Sequence, residues 1–171
     1  LQSDGEQTLN KQFVPAEFTV PLSLDTADFR LRMLTIHDVV KDYDAVMTSV
    51  KSLQGLFGHG STWPKETLTL EQDLIDLAWH QKEFQRRSSF AYTMMSLDET
   101  RCLGCMYIYP PSLDGVDAEI IFWVRESEMQ SGLEQKLFET IKKWMKEQFP
   151  FSTVIYPGRD LESGARLFDD V

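Results

Sequence analysis

The stretch from Arg101 to Tyr156 constrains the fold most: two strand-like runs, an amphipathic helix entered through Gly132 and a third strand-like run follow one another. RCLGCMYIYP (Arg101 to Pro110) and DAEIIFWVR (Asp117 to Arg125) are rich in aromatic and branched residues. The PPSLDG between them is turn chemistry, so the pair predicts an antiparallel hairpin. Neither run alternates apolar with polar, which implies that both sheet faces are covered. Beyond Arg125 the period lengthens. Leu133, Leu137, Ile141, Trp144 and Met145 fall on one side of a helix of about four turns. Pro150 stops that helix, and FSTVIYP (Phe151 to Pro157) reads as the next strand. A glycine-entered helix between strands is a common way of holding a phosphate, because the first-turn amides lack intrahelical partners.

This order resembles the Gcn5-related N-acetyltransferase superfamily, in which the strand before the main helix often ends as AEIIFWV does here. In that family the helix opens with Arg/Gln-x-x-Gly-x-Gly/Ala, whose amides bind the pyrophosphate of acetyl-coenzyme A. Upstream, FRLRMLTIHD (Phe29 to Asp38) resembles the family's first strand and the start of its first helix. The resemblance implies an α/β (α+β) fold: a mixed, mainly antiparallel sheet with helices on both faces, lacking the last two strands. It divides the chain into an N-terminal arm and extended segment, 1–28, and an acetyltransferase-like domain, 29–171.

Counted from Val124, Met129 stands where the family has Arg or Gln, Gly132 at the central glycine, and Glu134 where it has Gly or Ala. Ser131 with Glu134 fits a capping box that would satisfy the helix amides from within. A carboxylate in the first turn also competes for the positive helix end. DLESGARLFDDV (Asp160 to Val171) resembles the family's last helix, where a tyrosine frequently protonates the leaving thiolate; the matching position here is Phe168.

The resemblance implies acetyl transfer from acetyl-coenzyme A to an amine of a small molecule or peptide. The backbone at Trp123 and Val124 would orient the thioester, and Gln130, Ser131, Gly132 and Leu133 would hold the diphosphate. Glu119, set among Ala118, Ile120, Ile121 and Phe122, is the candidate base, since burial raises a carboxyl pKa toward the useful range. Tyr107 and Tyr109 share a strand face and are candidate acids. GLFGHGSTWP (Gly55 to Pro64) surrounds a histidine and a tryptophan with glycines, and in the family this loop often covers the acceptor. His59 and Trp63 are therefore the substrate-binding candidates. The alternative is a non-catalytic acetyltransferase-like binding or regulatory domain that has lost cofactor binding.

The remaining segments are plainer. Cys102 and Cys105 form C-x-x-C, but residues three apart in a regular strand face opposite ways, so core thiols rather than a metal pair are expected. Asp38 can cap a helix containing Val39, Val40, Tyr43, Val46, Met47 and Val50. Thr69 and Gln72 form a capping box for a second helix whose apolar set is Leu70, Leu74, Leu77, Ala78 and Phe84. Asp76, His80, Glu83 and Arg87 then form one row, read as a solvated, salt-bridged face. FVPAEFTVPLSLDT, with its prolines, suits an extended segment over a sheet edge.

With 171 residues, 42% of them hydrophobic, one sizeable core is expected. The net charge of −10 excludes a phosphate-neutralising nucleic-acid binder. No apolar run is long enough for a bilayer span, so a cytoplasmic location without membrane contact is expected. A sheet edge left open by missing strands would suit a homodimer.

Overall fold

The computed structural model describes residues 12–159. Six strands form one sheet in chain order: β1 (Ser23–Asp25), β2 (Arg30–Met33), β3 (Phe90–Met95), β4 (Cys102–Tyr109), β5 (Ala118–Val124) and β6 (Val154–Ile155). Neighbours are antiparallel except β5 and β6, which are parallel because α4 (Leu133–Gln148) crosses between them. Helices α1 (Val39–Met47), α2 (Val50–Leu53) and α3 (Leu70–Gln85) cover the opposite sheet face. The acetyltransferase-like mixed sheet with helices on both faces is thus as expected. Asp160 to Val171, including Phe168, lie outside the described residues, as do residues 1–11. No helix of the described residues is long and apolar enough to cross a membrane.

Strands β3, β4 and β5 are buried almost throughout, which explains why they read as continuous apolar runs. Beneath α4, Leu137, Ile141 and Trp144 pack with Tyr92, Met106, Ile120 and Phe122, joined by Val14 and Val20 of the N-terminal segment. Beneath α1 to α3, Ala45, Val46, Leu53 and Leu77 pack with Met95, Cys105, Tyr107 and Trp123. The hairpin and the four-turn α4 match the sequence periods.

Five local expectations are corrected. Strand β3 fills a segment where no strand was read, and all six of its residues are buried. Asp38 does not cap α1 through its side chain; its carboxylate accepts from the Thr35 amide at 2.9 Å and pairs with Arg32 at 2.7 Å. Helix α3 keeps its Thr69/Gln72 capping box but is rotated from the face its leucines suggest. Asp73, Leu77 and Phe84 point inward, while Leu70 and Leu74 are exposed together with Ile75 and Trp79. The row read as solvated is instead tied to the protein. His80 stacks on Tyr107 with centroids 5.0 Å apart, and Arg87 donates to the carbonyls of Pro15 and Phe18.

The fifth correction concerns the two cysteines. Met94 pairs with Gly104, but Met95 pairs with Cys102, so β4 carries one extra residue at a bulge. Leu103 therefore packs under α4, while Cys102 and Cys105 both face α1 and α3. The alternation assumed for a regular strand fails at that bulge.

Candidate cofactor crevice and acceptor face

Strand β6 pairs with β5 only at Ala118/Val154 and Glu119/Ile155, and beyond Ile155 the two chains part. The rest of the β5 edge borders a crevice leading toward the start of α4. The Phe122 carbonyl opens onto it, since it accepts a hydrogen bond from Arg159 at 3.0 Å across the gap. By strand alternation Val124 presents its backbone to the same edge and Trp123 to β4. Of the two residues expected to orient a thioester, only Val124 is therefore available through its backbone. Trp123 instead donates its indole N–H to the Tyr107 hydroxyl at 3.1 Å.

At the crevice mouth, Gly132 precedes α4 with φ +81°, a left-handed conformation that strains any residue with a Cβ. No N-cap side chain closes the helix there, so the expected capping box is absent. Ser131 donates to the Glu128 carbonyl at 2.7 Å and accepts from the Leu133 amide at 3.3 Å. Glu134 turns away from the helix amides to form an ion pair with Arg159. The guanidinium of Arg159 also lies 3.8 Å over the Phe122 ring. Glu134 is thus a neutralised carboxylate rather than a competitor for the helix end. Gln130, Ser131 and Gly132 are exposed at this mouth and Leu133 is buried behind it. An exposed helix start, a left-handed glycine and a nearby guanidinium suit an anionic diphosphate.

Across the sheet, the candidate acceptor side chains meet in an aromatic layer. Phe57 of the α2–α3 loop contacts Trp63 and Tyr107 at centroid distances of 5.3 and 5.4 Å, and Trp63 approaches Trp123 at 6.4 Å. Tyr107 and Tyr109 stack at 6.1 Å. Burial pushes both phenols above their ordinary pKa, so they stay protonated and keep an O–H able to donate. Burial also lowers His80, to about 4, so its imidazole is neutral at neutral pH despite the nearby Glu83 carboxylate. His80, expected on a solvated row, is instead brought to the candidate site by its stacking on Tyr107. Trp63 is half-buried in this layer, whereas His59 is exposed on the loop.

Glu119 stands opposite Tyr109 in the β4–β5 ladder, as the hairpin register allowed. Its carboxylate is not sunk in the core: it accepts from the Ser112 amide at 2.7 Å and hydroxyl at 2.6 Å, closing the hairpin turn. Arg125 does not reach it, being buried against Asp44, Thr48 and the Cys102 carbonyl. A concavity of about 810 Å³ lies at that hairpin end, between the turn and the N-terminal segment. It is separate from the crevice at α4.

No protein-family model and no curated protein matches this chain. Solved structures do. The ribosomal-protein-S5-alanine acetyltransferase of Vibrio fischeri superposes with a TM-score of 0.64 at 12% identity, over 84% of this chain and 79% of that one. The ribosomal L7/L12 alpha-N-protein acetyltransferase RimL, in complex with coenzyme A, gives 0.56 at 16% identity, over 73% and 66%. The microcin C7 self-immunity acetyltransferase MccE, in complex with acetyl-CoA and AMP, gives 0.55 at 10%, over 74% and 68%. The chain thus has the fold of the Gcn5-related N-acetyltransferases, at identities where the likeness is one of fold.

Proposed function

We propose that this chain is an N-acetyltransferase that passes an acetyl group from acetyl-coenzyme A to an amine of a peptide or small molecule. The observation that carries this reading is the start of α4, where a left-handed Gly132 leaves the helix without a side-chain cap beside the open edge of β5. Gln130 to Leu133 and the Val124 backbone would hold the cofactor, with Arg159 as an added cation for its diphosphate. Bound there, acetyl-coenzyme A supplies a thioester carbonyl open to attack by an amine.

The chain's own residues have separate tasks in this reading. Glu119, opposite Tyr109, accepts a proton from the incoming ammonium, with His80 as a second acceptor nearer Tyr107. Tyr107 and Tyr109, held protonated, donate hydrogen bonds toward developing negative charge. Trp63 and His59 border the acceptor, and the aromatic layer excludes water from the face they share. Support for a peptide acceptor comes from the neighbours whose names specify ribosomal-protein acetylation.

A second reading is favoured by one observation. Arg159 already spans the crevice, bonded to Glu134 and Phe122, as it would in a domain that has closed its own cofactor site. Mass spectrometry of amines and N-terminal peptides incubated with acetyl-coenzyme A tests the two. Acetylated product that disappears with Glu119→Gln supports the enzyme. No product from the parent chain, together with cofactor binding that arises only in Glu134→Gly, supports the closed domain.

A further inference from the structure

We propose that Asp42, Cys102 and Cys105, with Asp73 as fourth ligand, form a site for a zinc-class divalent cation beneath the α1–α3 layer. The bulge in β4 turns both thiols to the same face, where α1 lowers Asp42 onto them. One ligand atom from each of these three residues lies within 4.8 Å of the others, and all three residues are buried. The Cys105 thiol meets Asp42 Oδ1 at 3.3 Å. A tetrahedral zinc with bonds of about 2.3 Å to sulfur and 2.0 Å to oxygen sets sulfur and oxygen about 3.5 Å apart, and two sulfurs about 3.8 Å apart. One edge of that tetrahedron is therefore formed, and the other two edges of the three-residue set, each within 4.8 Å, close by little more than an ångström at most.

The fourth ligand comes from an independent observation. Asp73, in the first turn of α3, is 1% exposed, and its Oδ2 has no hydrogen-bond partner among the described residues. Its carboxyl neighbours that of Asp42, and a cation between the two would give its unpartnered oxygen a ligand. Neither forms an ion pair with a described basic side chain. Arg125, whose guanidinium donates to the Cys102 carbonyl, is engaged by Asp44 and Thr48.

Donor chemistry selects the cation. Paired thiolates with a carboxylate suit zinc or cobalt, whereas magnesium and calcium prefer oxygen alone. Uptake releases the thiol protons and the carboxyl proton to solvent. The bound ion ties α1, α3 and β4 together directly behind Tyr107, so its role is to fix the aromatic layer, separately from the cofactor crevice.

The test is titration of the reduced full-length chain with cobalt(II), followed by its thiolate-to-metal charge-transfer absorption, with zinc competition. One equivalent producing that band, lost in Cys105→Ser and weakened roughly tenfold or more in Asp73→Asn, is the expected result. A correctly folded wild-type chain with no band, and a melting temperature unmoved by either metal, overturns the proposal in favour of a shared proton. An unchanged band in Cys105→Ser overturns the ligand set. Because the readout uses neither coenzyme A nor acetylation, failure here leaves the acetyltransferase reading intact.

Discussion

The left-handed conformation of Gly132 and the pairing of Glu134 show what single residues disclose and what they conceal. The glycine was legible because a helix entered from a strand through glycine is a recognised local pattern. Glu134 was misread because its partner, Arg159, lies 25 positions away and no local rule connects them. Glu119 was misread for a related reason: its apolar neighbours suggested burial, yet Ser112 of the hairpin turn captures its carboxylate. Gly132→Ala should cost about 1 kcal/mol or more through backbone strain, read from chemical denaturation. His80 gives a pH prediction. Its folded pKa, about 4, lies below the unfolded value near 6.5, so the unfolded chain binds more protons between them. The stability this confers is complete above about pH 6.5 and is lost as pH falls toward 4, by at most roughly 3 kcal/mol and less where solvent reaches the ring. Denaturant melts at pH 7 and pH 5 should show a drop that His80→Gln reduces; equal drops in the two proteins would remove His80 as the cause.

At the scale of elements, the periodic ones were readable and the irregular ones were not. Helix α4 shows five buried apolar residues at helical spacing, and the hairpin is bounded by unmistakable turn residues. Strand β3 escaped because FAYTMM neither alternates nor is bounded by glycine or proline; only the central position of this strand in the sheet makes it a strand. Helix α3 misled because its exposed face is as apolar as its buried one, with Asp73 and His80 turned inward in place of leucines. Leu77→Ala should therefore destabilise by about 2 to 5 kcal/mol, whereas Leu70→Ala should change stability by about 0.5 kcal/mol or less. Beside the bulge, β4 and β5 approach each other closely: a Cβ on Gly104 would lie 2.0 Å from the Trp123 carbonyl oxygen. Gly104→Ala should cost at least about 2 kcal/mol and loosen the β4–β5 pairing, visible as faster amide exchange in both strands. Wild-type protection in that variant would contradict this, showing that the ladder takes up the Cβ without loosening.

For the molecule as a whole, the chain places two different surfaces on one sheet. The β5 edge and the start of α4 border the crevice proposed for the cofactor's diphosphate, while the α1–α3 face gathers Tyr107, Tyr109, Trp63 and His80 into an aromatic layer. The order of elements from Arg101 onward made this architecture legible, since strand, strand, helix, strand admits few packings. The filling of the crevice was not legible, because it depends on Arg159 reaching back across the fold. The central claim is that the crevice takes acetyl-coenzyme A, and thermal unfolding measures it most directly. At about a hundred times its dissociation constant the cofactor should add about 2.7 kcal/mol, raising the melting temperature by roughly 5 to 10 °C. Adenine nucleotides without the pantetheine arm should produce a smaller shift, and Gly132→Ala should reduce the rise. A melting temperature unmoved by millimolar acetyl-coenzyme A would contradict the account and leave an acetyltransferase fold whose crevice Arg159 has closed.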